Sequence, residues 1–307
     1  MNNKYLFAIF GALLALYFAS QLFSTKKERS FKAELVQVDT SAVDKIVLQT
    51  KADQYATVTL EKVEDNWRAT KGNKSVTAMS PAVQALLGQL VMVKAKRIAA
   101  KTEEKWGEYE VDEANGNRIQ VFAGDRSLCN FVIGRFSFDQ NTRTATSFLR
   151  LQDAPDVYAI DGFLSMSFGQ GFNAYRLRDL VKLRAEDITN ISFGDGQALQ
   201  KGPDGWLSGE GTALDSTEVA NYLSGMSNIT GSNFIDDFDA SGIAPENIQQ
   251  MTIKANNALQ AIVISAYKRE DAELPYVIHS SINPDAYFTS KAEDLYAKLF
   301  KTVDSLE

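Results

Sequence analysis

Along most of the chain after residue 44, apolar and polar positions alternate in short runs cut by Gly, Asn and Asp, a period of two that predicts half-buried strands. In the first half these runs are 46–48, Val58 with Leu60, 119–122, 131–133, 148–151 and 157–160. One segment changes period. Val83, Leu86, Leu87, Leu90 and Val91 recur at helical spacing behind Ser80, a natural N-cap, and Pro81, whose fixed φ suits the first helical position. One amphipathic helix among several strands predicts an α+β fold, mostly antiparallel sheet.

The second half repeats that order. Residues 187–193 stand for 44–48, Gly205-Trp206 for Asn66-Trp67, and a second helix opens at Asp215 or Ser216, with Glu218 placed for a capping box and Val219, Tyr222, Leu223 and Met226 at helical spacing. Gly242 stands for Gly107, Ile253 for Val121, 262–264 for 131–133, and Pro284-Asp285-Ala286-Tyr287 for Pro155-Asp156-Val157-Tyr158. The offsets are 139 for the Trp pair, 136 for Ser80 and Ser216, 135 for the Gly pair and 129 for the Tyr pair. A constant order with a slow drift predicts two tandem, duplicated α+β modules, over 44–184 and 185–307.

The start of the chain follows neither period. Between Lys4 and Lys26 there is no charge, and residues 5–23 are apolar apart from Ser20 and Gln21, enough for a helix to span a hydrocarbon layer of about 30 Å. Small residues at −3 and −1 of a cleavage site are missing, so residues 1–24 are expected to be an uncleaved transmembrane anchor, with a cleaved signal peptide as its rival. Residues 25–43 link it to the first module. Lys26, Lys27, Arg29 and Lys32 lie downstream against Lys4 upstream, a bias that would hold the domain in the cytoplasm, but that rule is weak for long translocated domains.

Composition narrows the chemistry. One Cys and one His among 307 residues exclude an internal disulfide, a Cys/His zinc site and a Cys-x-x-C redox pair. A net charge of −7 argues against a general nucleic-acid binder. That charge is split: 25 Lys plus Arg against 20 Asp plus Glu up to Arg184, then 7 against 19, giving +5 and −12. A basic proximal face suits anionic lipid and an acidic distal face suits a basic partner, although both also read as ordinary solvated surfaces.

The ordered landmarks Asp65-Asn66-Trp67, Ser80-Pro81, Trp106-Gly107-Glu108-Tyr109, Ala123-Gly124-Asp125, Val132-Ile133-Gly134, Phe148-Leu149-Arg150, Asp156-Val157-Tyr158 and Tyr175-Arg176-Leu177-Arg178-Asp179 give the chain its specific signature. In these it resembles the domain of unknown function 4340 family, well over 44–183 and more faintly to the end. The resemblance implies a bacterial envelope protein with one N-terminal membrane segment, commonly encoded beside ABC transport systems of the gliding-motility auxiliary type. It implies no reaction and supplies no catalytic residues, and it favours an extracytoplasmic domain on the inner membrane. The second half departs from the pattern: Arg-Asp after the last strand is missing, and 290–300 reads instead as a closing amphipathic helix with Leu295, Tyr296, Leu299 and Phe300 on one face.

Candidate chemistry is sparse. Asp237, Asp239, Ser241 and Gly242 fit positions 1, 3, 5 and 6 of a calcium loop, but Ile248 stands where the bidentate Glu belongs, so the cluster reads as an acidic turn. His279 falls on the wetter face of its strand and reads as a solvated histidine; Cys129 alternates with Phe131 and Ile133 and reads as an inert, buried thiol. No catalytic, cofactor-binding or metal-binding residue is expected. The expected partner-contact surface comprises Phe163, Met166, Phe168, Phe172 and Tyr175, which serve equally as core, together with Asp236, Asp237 and Asp239. The expected function is a non-enzymatic, membrane-anchored accessory or scaffold component of an ABC-type transport assembly. One alternative is a binding module holding a lipid, glycan or small molecule between the repeats; another, resting only on abundant carboxylates, is an envelope hydrolase.

Overall fold

The computed structural model describes residues 33–270 and 273–301, so the anchor expected over 5–23 lies outside the described residues. Among the described residues no helix is long and apolar enough to cross a membrane. The first elements are β1 (Glu34–Val36), β2 (Lys45–Gln49), β3 (Thr57–Val63), β4 (Asn66–Lys71), β5 (Lys74–Thr77), α1 (Ser80–Leu90), β6 (Val93–Lys94), β7 (Arg97–Ala100), β8 (Asn117–Ala123), β9 (Arg126–Asp139), β10 (Thr144–Leu151), β11 (Val157–Asp161) and α2 (Leu164–Phe168). There follow β12 (Asp179–Lys182), β13 (Ile188–Phe193), β14 (Ala198–Lys201), β15 (Trp206–Ser208), α3 (Ser216–Met226), β16 (Asn228–Thr230), β17 (Ile248–Ala255), β18 (Ile262–Lys268), β19 (Tyr276–Ser280) and β20 (Asn283–Ser290). The fold is mostly antiparallel sheet with few helices.

The described chain forms two compact units that interleave along the sequence. One contains 33–55 with Leu86–Gln170, the other Ala56–Ala85 with 171–301. The seam expected near Arg184 divides the chain in sequence order, whereas the second unit takes in both 171–184 and the earlier segment Ala56–Ala85.

In the first unit six strands run in the order β2-β8-β9-β10-β11-β7, every neighbour antiparallel. Its central strands depart from simple alternation: 131–134, 147–150 and 157–160 are each buried throughout. Unbroken burial means both sheet faces are covered. One face carries Val132, Phe148, Val157 and Ala159, packed under Val111 with Trp106 and Tyr109, so the segment 103–111 forms a lid over it.

The second unit holds a seven-stranded antiparallel sheet, β15-β14-β13-β17-β18-β19-β20, a β12–β16 pair, and the β3-β4-β5 meander. Helix α3 buries Val219, Tyr222, Leu223 and Met226 in one core with Ile191, Met251, Ile264, Ile278 and Phe288. Asp215 caps it, accepting from the backbone N–H of Thr217 at 2.8 Å and of Glu218 at 2.9 Å. In α1 Val83, Leu86, Leu87 and Leu90 are buried as expected, but Val91, expected on the same stripe, lies past the helix end and is exposed, and the cap sits one residue earlier: the carbonyl of Met79 already accepts from Val83 N–H. The closing helix is shorter than expected. Ser290 remains in β20, and the helical turns of 292–299 are broken at Asp294 (φ −97°, ψ −117°), while Leu299 is fully buried.

Candidate functional site

Four of the sequence landmarks meet on the lidded face of the first unit. The Trp106 indole N–H donates to the Pro155 carbonyl at 2.9 Å, and the Arg150 guanidinium lies 3.9 Å from the centroid of the Trp106 ring. Arg150 is 2% exposed and donates from Nε to the Val111 carbonyl at 2.8 Å and from Nη1 to the Gln152 carbonyl at 3.1 Å. Carbonyl dipoles and an aromatic face thus accommodate this cation. Burial, joined by the charge of Arg118, pulls its pKa below the usual guanidinium value. Tyr109 packs on Phe148 with centroids 4.7 Å apart, and its carbonyl lies so close over Gly134 that any Cβ there would overlap it. These residues clamp the lid.

The Tyr175 to Asp179 landmark works similarly in the second unit. Arg176 is 1% exposed, its guanidinium 3.7 Å from the Phe234 ring centroid, and it donates from Nη1 to Asp236 Oδ2 at 3.1 Å while its Nη2 lies in ion-pair contact with Oδ1 at 2.9 Å. Lys74 of β5 pairs with the same carboxylate. Burial pushes the Asp236 pKa upward, but the hydrogen bonds and charges of Lys74 and Arg176 outweigh it and the net shift is downward. Asp236, expected on a contact surface, is therefore engaged by two cations, although its side chain remains 47% exposed. Asp239 caps the helical turn Ala240–Gly242 through Ser241 N–H at 2.9 Å and Ser241 Oγ at 2.7 Å; Asp237 is exposed.

The acidic segment has a further structural job. Residues 233 and 235 bond along β20, and Phe238 then packs between Tyr267 and Tyr287, each at 5.3 Å, before the chain reaches β17. It thereby covers the outer face of the sheet. His279, expected to be solvated, is half-buried there and stacked on Tyr287 at 4.6 Å; desolvation lowers its pKa, with a smaller opposing effect from a backbone hydrogen bond at Pro284. Cys129 is half-buried, and desolvation pushes its thiol up to about 12, leaving almost no nucleophilic thiolate at neutral pH. Among the described residues no group of three His, Cys, Asp or Glu side chains is gathered to hold a metal ion.

The aromatic segment divides sharply. Phe168, Phe172 and Tyr175 are at most 2% exposed, so those three belong to the core and not to a contact surface. Phe163 and Met166 stay 53% and 52% exposed. The structure adds two rings that sequence reasoning missed, Phe136 and Phe138 on β9; Phe136 stacks on Phe163 at 5.3 Å and Phe138 is 49% exposed. Their alternation in 135–139 was a weak signal of one shared face.

Within the second unit a groove of about 600 Å³ opens beside β13 and β17, lined by Phe193, Gln197, Gln249, Gln250, Tyr296 and Phe300 among others. Tyr296 stacks on Tyr276 at 3.7 Å and donates its hydroxyl to Gln249 Oε1 at 2.6 Å.

The ordered turns and clamps above have a counterpart in known sequences: the profile of one family, described as Domain of unknown function (DUF4340), matches residues 67–250, more than half of the 307-residue chain. The chain belongs to the DUF4340 family. No curated protein and no solved structure matches it. The DUF4340 match starts at Trp67 and continues past Leu183 into β17, so it takes in the clamps of Arg150 and of Arg176 alike.

Proposed function

We propose that this DUF4340 protein is a non-enzymatic, membrane-anchored component of the bacterial envelope that acts as an accessory or scaffold subunit of an ABC-type transport assembly, its folded part outside the cytoplasm. The observation that carries this reading is the charge-free run 5–23, ahead of sheet units whose most distinctive polar groups are spent on internal clamps. Extraction in mild detergent and pull-down from the source cell should recover transporter subunits; their absence under conditions that retain other membrane complexes overturns the assignment.

We also read the two halves as copies of one α+β module. Two parallels support this: the strand order β2-β8-β9-β10-β11 matches β13-β17-β18-β19-β20, and the buried helix positions 83, 86, 87 and 90 match 219, 222, 223 and 226.

A second reading, a binding module, is favoured by the groove at Tyr296. Aromatic faces beside side-chain amides suit the C–H faces and hydroxyls of a glycan. Envelope glycans should then raise the melting temperature of the wild-type chain and not of Gln250→Ala; equal curves with and without glycan remove this reading.

A further inference from the structure

We propose that the exposed aromatic edge of the first unit, Phe136, Phe138, Phe163 and Met166, rests in the lipid–water interface of the membrane that anchors the chain. This rests on the anchored reading above. The edge is a projecting hairpin. Pairing of β8 with β9 stops at Asn117↔Ile133 and pairing of β10 with β11 stops at Thr146↔Asp161, while β9 and β10 continue together to Asp139↔Thr144. Phe136 and Phe138 share one face of that projection by strand alternation. The turn carrying Phe163 is held to its base: Ser165 N–H donates to Ser147 Oγ at 2.9 Å, Ser147 Oγ to the Gly162 carbonyl at 3.0 Å, and Ser165 Oγ to the Arg135 carbonyl at 3.1 Å. Three large apolar side chains about half exposed on a fixed support are costly in water and normal at an interface, where aromatic rings collect at headgroup level.

What selects lipid as the occupant is where the chain emerges. The Ala33 carbonyl accepts from Ala95 N–H at 2.8 Å, and the neighbouring Lys96 bonds β11 through the Ala159 carbonyl at 2.9 Å and reaches the Asp161 carboxylate at 3.0 Å. Asp161 pairs with Thr146, which pairs with Ser137. Four inter-strand steps therefore connect Ala33 with Ser137, roughly 20 Å in the hydrogen-bonding direction. Only nine residues, 24–32, separate Phe23 from Ala33, a reach of at most about 35 Å. A bilayer holding 5–23 is thus within reach of this edge, and exposed Arg143, in the turn between β9 and β10, suits anionic headgroups.

The test uses the full chain in nanodiscs of phosphatidylethanolamine and phosphatidylglycerol, in a Cys129→Ser background, with a nitroxide at Phe138→Cys, Met166→Cys or, as a solvent reference, the fully exposed Leu259→Cys. The ratio of oxygen to nickel-chelate accessibility is expected to be several-fold higher at positions 138 and 166 than at 259. Equal ratios with the chain retained in the disc overturn the lipid contact and leave the anchor standing. Recovery of the chain outside the discs overturns both. Shielding from both reagents with two labelled copies per disc assigns the edge to a second copy and overturns the lipid contact.

Discussion

At the scale of single residues, space explains Gly134 and charge explains the Arg176–Asp236 pair. Gly134 is required because the Tyr109 carbonyl occupies the place of a Cβ. Gly134→Ala should destabilise the first unit by about 1–3 kcal/mol, the usual cost of overpacking, read as a lower urea midpoint at unchanged slope. Asp236 makes a pH-dependent contribution. Its folded pKa lies below the ordinary carboxylate value, so its ion pairs stabilise the fold above the unfolded value of about 4 and that gain is lost as pH falls through the folded value. Because the carboxylate is half exposed, Asp236→Asn should cost only about 1 kcal/mol at neutral pH. The melting curves of variant and wild type should converge in acid; a gap that persists there would show that the pair is not the source.

At the scale of elements, most of the chain was legible from periodicity. The six runs of alternation expected in the first half all lie in strands; the second helix buries the whole stripe its spacing names, and the first buries all of its stripe but Val91. Alternation depends on local burial on one face, so it is written locally. The closing helix was harder to see, because its course depends on the core it seals. Tyr222 of α3 donates to the Leu299 carbonyl at 2.6 Å within that core, so Tyr222→Phe should cost about 1 kcal/mol by leaving a buried carbonyl unpaired, measured by denaturant unfolding. Gly88 lies on the exposed side of α1 with open space where a Cβ would stand, so Gly88→Ala should raise stability by up to about 1 kcal/mol in the same assay.

At the scale of the whole molecule, the prediction is one of topology. A reporter active only outside the cytoplasm, fused to the C-terminus, should be active if the folded units lie in the envelope beyond the inner membrane; activity of a cytoplasmic reporter at the same position would reverse the orientation. The candidate contact surface was only half legible. Phe163 and Met166 were named from composition, yet their neighbours Phe168, Phe172 and Tyr175 share that composition and are buried, while Phe136 and Phe138 come from a strand some 25 residues earlier. Spacing along a chain records which residues share a face, not which distant segment covers it.

By itself, then, the sequence determined the strand and helix periods, the unequal charge of its halves, the apolar run 5–23 and the family signature, because each is a property of neighbours along the chain. Only the tertiary structure decided that Arg150 and Arg176 are buried clamps, that His279 is half-buried and stacked on Tyr287, and that the segment Ala56–Ala85 joins the later half in one compact unit. Those outcomes depend on long-range closure: which carbonyls, rings and carboxylates arrive opposite a side chain once the sheets have paired.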